Sequence, residues 1–284
     1  MVSIDPAIER RGARAAEGAS AAPSLPRVTF PWRGAGVARA LALPLLILVL
    51  WQVAVNRGVY SVSQLPPPLD VVAAGRELQS IGQLVPNVMA SVQRVAIGWG
   101  AGAAVAIAIG LLVGFSRTAE GFLAPTIQAL RAVPSLAWVP LFVLWFGIGD
   151  APKLILIAVG AFFPVYTNLV AGVRQIDRKL VEVGRAYGLR GWSLTREILL
   201  PAAFPSLATG LRLGLAQAWL FLVAAELIGA SRGLGFLLVD GQNTGRADII
   251  LLSIVLLAIL GKGTDFLLAC GERRLLRWSD TFRG

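Results

Sequence analysis

Long apolar blocks divide the chain, and this pattern restricts the fold more than any other feature. They run at about Val37–Val55, Val95–Phe115, Phe122–Phe146, Leu154–Val173, Pro205–Ile228 and Ile249–Leu268. Each is close to the roughly 20 apolar residues that a helix needs to cross a bilayer. Only 15% of the residues are charged, where soluble domains carry roughly a quarter. The pattern predicts an all-α integral membrane protein of six transmembrane helices. The second block is dense in Gly and Ala, which suits close helix packing. The third is interrupted by Arg131, Pro134 and Pro140, and the fourth contains Pro164.

Basic residues orient these helices, because Lys and Arg favour the cytoplasmic side. With six spans and an inside N-terminus, 17 of the 26 basic residues fall inside and six outside, namely Arg57, Arg76, Arg94, Lys153, Arg232 and Arg246. A five-span count would strand one of the basic tails outside. The expected organisation is a disordered cytoplasmic tail over 1–35, a transmembrane domain over 36–271 and a basic cytoplasmic tail over 272–284. The first apolar block begins too far in for an ordinary secretory signal. The formal net charge of +10 does not indicate nucleic-acid binding, because the basic residues edge the apolar blocks and form no single stripe.

Absences exclude several chemistries. There is no His, and Cys270 is the one cysteine. A zinc site, an intrachain disulfide and His-based acid–base chemistry are therefore out of reach. No catalytic residue and no metal ligand set is expected. Gly261-Lys262-Gly263-Thr264 lacks the spacing of a phosphate-binding loop and lies inside an apolar block. Gly229–Gly235 follows a membrane block and reads as an outer turn or re-entrant element. In the outer segment 56–93, Pro66–Pro68 form a stiff turn and Asp70 can cap a helix beginning at Val71.

The charged segment 174–201 between the fourth and fifth blocks is long for a bare connection. Asp177 is a candidate N-cap for a helix over 178–187. Gly188 stops that helix, since glycine takes the left-handed conformation cheaply. Ser193 can cap a second short helix that Pro201 ends. A helix–turn–helix between two spans suits docking to another protein.

This segment resembles the coupling loop of binding-protein-dependent ABC permeases, Glu-Ala-Ala-x3-Gly-x9-Ile-x-Leu-Pro. Glu182, Gly188, Ile198, Leu200 and Pro201 match in register, whereas Val183 and Gly184 replace the two alanines. Residues from about Leu65 to Arg277 are similar to the nitrate, sulfonate, taurine and bicarbonate branch, with aliphatic sulfonate permeases the most similar. The stretches Arg131–Leu141, Leu144–Gly149 and Ala225–Gly235 carry that likeness. The resemblance implies a type I ABC importer permease fold and transport of a small anion by alternating access. It implies a plasma-membrane location and a second permease copy, most simply a homodimer. It also implies an ABC ATPase dimer and an extracytoplasmic solute-binding protein. ATP and Mg would be used by the ATPase, with no cofactor bound by this chain. Tyr187, Leu189, Arg190 and Trp192 would contact the ATPase.

Within the blocks, Arg131 is costly in a membrane and is expected to face a cavity or a partner. With Pro134, Ser135, Trp138 and Glu226 it forms the candidate substrate pathway, although Glu226 beside an anion suits an ion pair or a gate better. Arg212 can snorkel to the interface, and Lys262 and Asp265 are spaced to pair on one helix face. Two other classes would leave different marks in the sequence. An ion-gradient-driven secondary transporter would carry a repeat of broken helices or acidic residues in its two halves. A membrane enzyme would need clustered carboxylates or His. Neither pattern is present.

Overall fold

A computed structural model describes residues 35–61 and 63–276, and every regular element among them is helical. The tail expected before residue 35, and the part of the C-terminal tail from 277 on, lie outside the described residues. Two units separate within the chain, one ending at Ile47 before the other, Leu48–Ser279. The second contains every contact discussed below.

The helices are α1 (Ala35–Asn56), α2 (Pro68–Ser80), α3 (Leu84–Phe115), α4 (Arg117–Ala132), α5 (Val139–Phe146), α6 (Asp150–Arg174), α7 (Arg178–Ala186), α8 (Leu200–Leu227), α9 (Leu234–Asn243) and α10 (Ala247–Leu275). Four stretches are long and apolar enough to cross a membrane: α3, α6, Thr195–Leu227 and α10. A fifth is broken, with α4 and Ser135–Phe146 meeting at 87°. The first expected span corresponds to α1, whose apolar part, Ala42–Asn56, is shorter than the others.

At the centre, α6 packs along both α3 and α8. Small residues make this approach possible. A side chain on Gly102 would overlap the Ala158 carbonyl, and one on Gly160 would overlap the Phe221 ring. Around these contacts Ala106, Val113, Val165, Leu169, Ala203 and Leu207 are buried. A second apolar cluster joins α2, α9 and α10 through Val71, Ala74, Leu78, Leu234, Leu237, Ile249 and Leu252.

Three local expectations are corrected. Helix α2 starts at Pro68, with Pro67 as N-cap, and Asp70 makes no capping bond. Proline suits this first position because its missing N–H would have no helical partner there. Asp70 instead lies in the first turn, where a negative charge is favourable. Next, the helix of the second block begins at Leu84 and not near Val95, so α3 runs for 32 residues and Arg94 lies inside it. Finally, Pro201 does not end a short helix. A single turn at Trp192–Leu194 and a π-helical turn at Thr195–Leu199 run straight into α8, with Pro201 in its first turn.

Arg212 does not stand alone at an interface. Its guanidinium donates to Asp265 at 2.9 and 3.3 Å and to Glu272 at 3.4 Å, tying α8 to α10. Lys262 reaches Asp265 only at 3.5 Å, so the expected Lys262–Asp265 pair is secondary to this one.

Candidate functional site

The segment between α6 and α8 is built from local signals. Asp177 accepts a hydrogen bond from the Lys179 N–H at 2.9 Å and caps α7. At the other end Gly188 has φ +83°. Its N–H donates to the Arg185 carbonyl at 3.0 Å, and the Leu189 N–H donates to the Gly184 carbonyl at 3.0 Å. These paired bonds satisfy the last carbonyls of the helix and turn the chain away sharply. Ser193 does not act as a helix cap. Its hydroxyl accepts from the Arg190 N–H at 3.1 Å and donates to the Arg190 carbonyl at 2.9 Å.

Helix α7 touches the rest of the chain along one side. Gly184 is buried beneath Ile198 and Leu194, so close that a Cβ would overlap both side chains. The opposite side is open: Glu182, Val183, Arg185 and Arg190 are exposed, and Tyr187 is 84% exposed. Leu189, Ile198, Leu200 and Pro201 are half-buried behind it. The backbone of Trp192 begins the single turn that follows.

The far end of the bundle is organised by a buried carboxylate. Glu226, in the last turn of α8, is 1% exposed. Its Oε1 accepts from an Arg94 guanidinium nitrogen at 2.7 Å and from the Ser91 hydroxyl at 2.9 Å. Its Oε2 accepts from the Gly235 N–H at 2.8 Å. Two neighbouring N–H groups at the start of α9 are also held. Gly233 donates to Asn87 Oδ1 and Leu234 to Ser91 Oγ, both at 2.8 Å. A helix begins with unpaired N–H groups and a partial positive charge, and here side chains from α3 and α8 supply the acceptors. Gly233, at φ +131°, and Gly235 lie so close to Glu226 that any side chain on them would displace it. Arg94 also donates to the Arg232 carbonyl at 2.6 Å and reaches Asp150, the first residue of α6, at 2.8 and 3.0 Å. Four helices thus meet on one ion-paired clamp.

The broken span lies between these ends. Val133 and Pro134 take extended backbone angles, Ser135–Trp138 forms one 3₁₀ turn, and Trp138 stacks on Phe142 of α5 at 6.4 Å. Arg131 and Pro134 are exposed, while Ser135 and Trp138 are half-buried. The Arg131 guanidinium comes within 3.5 Å of the Thr167 hydroxyl. Thr167 lies two turns from the α7 end of α6.

Residues 103–277 match the family described as binding-protein-dependent transport system inner membrane component. The chain belongs to this family. A relative from Bacillus subtilis (strain 168), named as the aliphatic sulfonates transport permease protein SsuC, is 41% identical over 88% of this chain and 90% of its own. The taurine transport system permease protein TauC of Escherichia coli (strain K12) is 35% identical over 83% of this chain and 87% of its own. The nitrate import permease protein NrtB of Synechocystis sp. is 31% identical over 79% and 84%. In fold, the permease is similar to inward-facing crystal structures of the MetNI methionine ABC transporter. One of these gives a TM-score of 0.58 at 23% identity, covering 70% of this chain and 97% of that one. The chain is thus a multi-pass membrane permease subunit of an ABC importer, with the type I fold. Nothing in the fold or the relatives supports a gradient-driven transporter.

Of the residues expected to line the permease's pathway, Arg131, Pro134, Ser135 and Trp138 are neighbours in the broken span. Glu226 lies apart from Arg131, although Trp138 packs against the cluster of Phe142, Leu156 and Ala225 next to it. From Thr167 to Asp150 is 17 residues of α6, roughly 25 Å at helical rise. The Glu226 carboxylate is also engaged wholly inside the clamp. Sequence reasoning missed Asn87, Ser91, Arg94, Asp150 and Lys153. Arg94 and Lys153 were counted among outer loop charges, yet each is 8% exposed. The available signal was spacing: Asn87, Ser91 and Arg94 recur at i, i+4 and i+7, the pattern of one helix face.

Proposed function

We propose that this permease imports a small organic anion, with aliphatic sulfonates as its substrate class. In this reading it sits in the bacterial inner membrane with both termini cytoplasmic and pairs with a second copy of itself. Its α7 docks into a separate ATPase dimer, which alone binds ATP and Mg. A solute-binding protein delivers the anion to the clamp end. Closure of the ATPase dimer pushes α7, and the spans rock between inward-open and outward-open states.

The observation that carries this reading is α7 itself. It is anchored on one side by Gly184 and shows Leu180, Val183 and Tyr187 at 48%, 52% and 84% exposure on others. A short helix outside the spans, with exposed apolar side chains, is built to be covered by a partner. The basic residues of segment 174–201 support its cytoplasmic placement. Sulfonate is favoured because two relatives named for it are 41% and 40% identical, against 35% for the taurine relative and 31% for the nitrate one.

The test is ATP hydrolysis in nanodiscs holding the permease, its candidate ATPase and the binding protein, over a panel of anions. Stimulation by alkanesulfonates is expected, with loss in Glu182→Ala and Gly188→Trp. Hydrolysis indifferent to every anion and to both substitutions would overturn the reading.

A further inference from the structure

Beside the clamp, but outside it, lies a cavity of about 220 Å³. Its walls come from α5 (Val139, Phe142, Val143), the first turns of α6 (Pro152, Lys153, Leu156) and the end of α8 with the residues after it (Ala225, Ile228, Gly229). The lining is apolar with one charged side chain, that of Lys153. This volume is below the roughly 300–1,000 Å³ of drug-sized sites and well above one water.

Lys153 is an unusual occupant of such a wall. An ammonium carries three N–H donors. One goes to the Gly149 carbonyl at 2.7 Å. The described residues offer Nζ no second hydrogen bond. The nearest carboxylate, Asp150, is 3.8 Å away, and the same oxygen is already held by Arg94 at 2.8 and 3.0 Å. Glu226, the other acid nearby, is enclosed by Ser91, Arg94 and Gly235. The four charges sum to zero, but the two acids converge on Arg94. Lys153 is left buried against apolar walls with its charge only partly met, which is costly in a span.

We propose that this cavity is a binding site within the permease for a small organic monoanion bearing a short apolar tail. The head sits on Lys153, and the tail lies against Phe142, Leu156 and Ile228. This rests on the importer reading above and adds a site in the permease itself. A sulfonate head takes the free N–H donors, and an alkyl tail covers the apolar wall. Nitrate meets the charge but leaves that wall uncovered. Taurine would place its own ammonium against the apolar end, unpaired.

The test is equilibrium binding of radiolabelled butanesulfonate to the permease in nanodiscs, without ATPase or binding protein, with unlabelled alkanesulfonates as competitors. Affinity is expected to rise with chain length until the cavity fills, by roughly fourfold per methylene, the value for burying one such group. Lys153→Met should lower affinity at least tenfold, and Lys153→Arg should restore most of it. Phe142→Ala leaves the cation in place and should flatten the chain-length dependence. Equal binding by wild type and Lys153→Met, or no binding by wild type, overturns the proposal. So does displacement of the label by butanol as effective as by butanesulfonate, which would mark a groove for lipid tails. A disulfide formed between copies of Ile148→Cys that leaves no room for the label would assign the cavity to the second permease copy. ATP-driven uptake by the complete wild-type complex reports on the importer reading separately, whichever way binding falls.

Discussion

At the clamp end, side chains of Asn87, Ser91, Arg94, Asp150 and Glu226 from three helices close around the start of a fourth. At the other end, α7 rests on one buried glycine and exposes most of its side chains. Both regions are polar and both lie outside the apolar centre, yet they are held by different means. The clamp is a buried network in which each partner satisfies another, and such networks are costly to leave half-made. The α7 segment is held by its own caps and a few contacts, so a partner can move it without breaking a core. Substitutions should therefore damage folding at one end and communication at the other.

The largest expected effect tests that division directly. Glu226→Ala would leave Arg94 without its buried partner and the Gly235 N–H without an acceptor. The loss should be about 3–5 kcal/mol, the usual consequence of removing one half of a buried pair. It would be seen as earlier loss of the monodisperse peak on heating in detergent. Glu226→Gln keeps an acceptor and should lose less. If Glu226→Ala melts with wild type, the clamp does not hold that end together.

An intermediate effect belongs to Gly184→Leu. The new side chain would collide with Ile198 and Leu194, and overpacking of this kind costs about 1–3 kcal/mol. Because α7 touches little else, the loss should stay local. Proteolysis within 174–201 is expected to accelerate while the thermal transition of the bundle shifts little. A large shift of that transition would mean α7 is more integral than its contacts indicate.

Smaller still, Tyr187→Ala should change stability by no more than about 0.5 kcal/mol, as exposed substitutions do. It should nonetheless depress anion-stimulated ATP hydrolysis in the reconstituted complex. Normal stimulation would remove Tyr187 from the docking face.

The mildest effect is one of pH and concerns the α2–α10 contact near the clamp end. Arg246 donates to both carboxylate oxygens of Glu77 at 2.7 Å. That hydrogen bond holds the Glu77 carboxyl below its ordinary value of 4.5. The folded value lies below the unfolded one, so the contribution is fully present above pH 4.5 and is lost as pH falls through the lowered value. Glu77 is exposed, and the effect should be slight. A small acid-induced drop in melting temperature, absent in Glu77→Gln, is the expected result.

These two ends also differ in how legible they were. The α7 segment is written within 25 residues: Asp177, Gly188, Ser193 and Pro201 stand at spacings that local helix chemistry interprets one by one, and Glu182 is read through the family resemblance. The exceptions were Ser193, whose hydroxyl turns back to the Arg190 backbone, and Pro201, where a stop and a first-turn proline look alike until the π-turn before it is seen. The clamp joins Arg94 to Glu226, 132 positions apart, and only the packing of α3 against α6 and α8 brings them together. Local reading therefore left Arg94 as a loop charge. The break in the third span was visible in Pro134, but its 87° angle depends on what α5 packs against. Lys153 was hidden for a related reason. At the edge of an apolar block, a buried lysine and an interfacial one have the same sequence context.

The π-helical turn at Thr195–Leu199 has a consequence of angular phase. A π-turn accommodates one residue more than an α-turn, and each residue of an α-helix advances the chain by roughly 100°. The extra residue is therefore stored in the turn, and deleting one residue there would restore the ordinary helical period with both flanks close to their present angles. Deleting one residue from the regular helix just beyond, in the first turns of α8, has no such reserve to draw on. Everything upstream would then swing by about that angle around the span, carrying the exposed side of α7 away from where it now points.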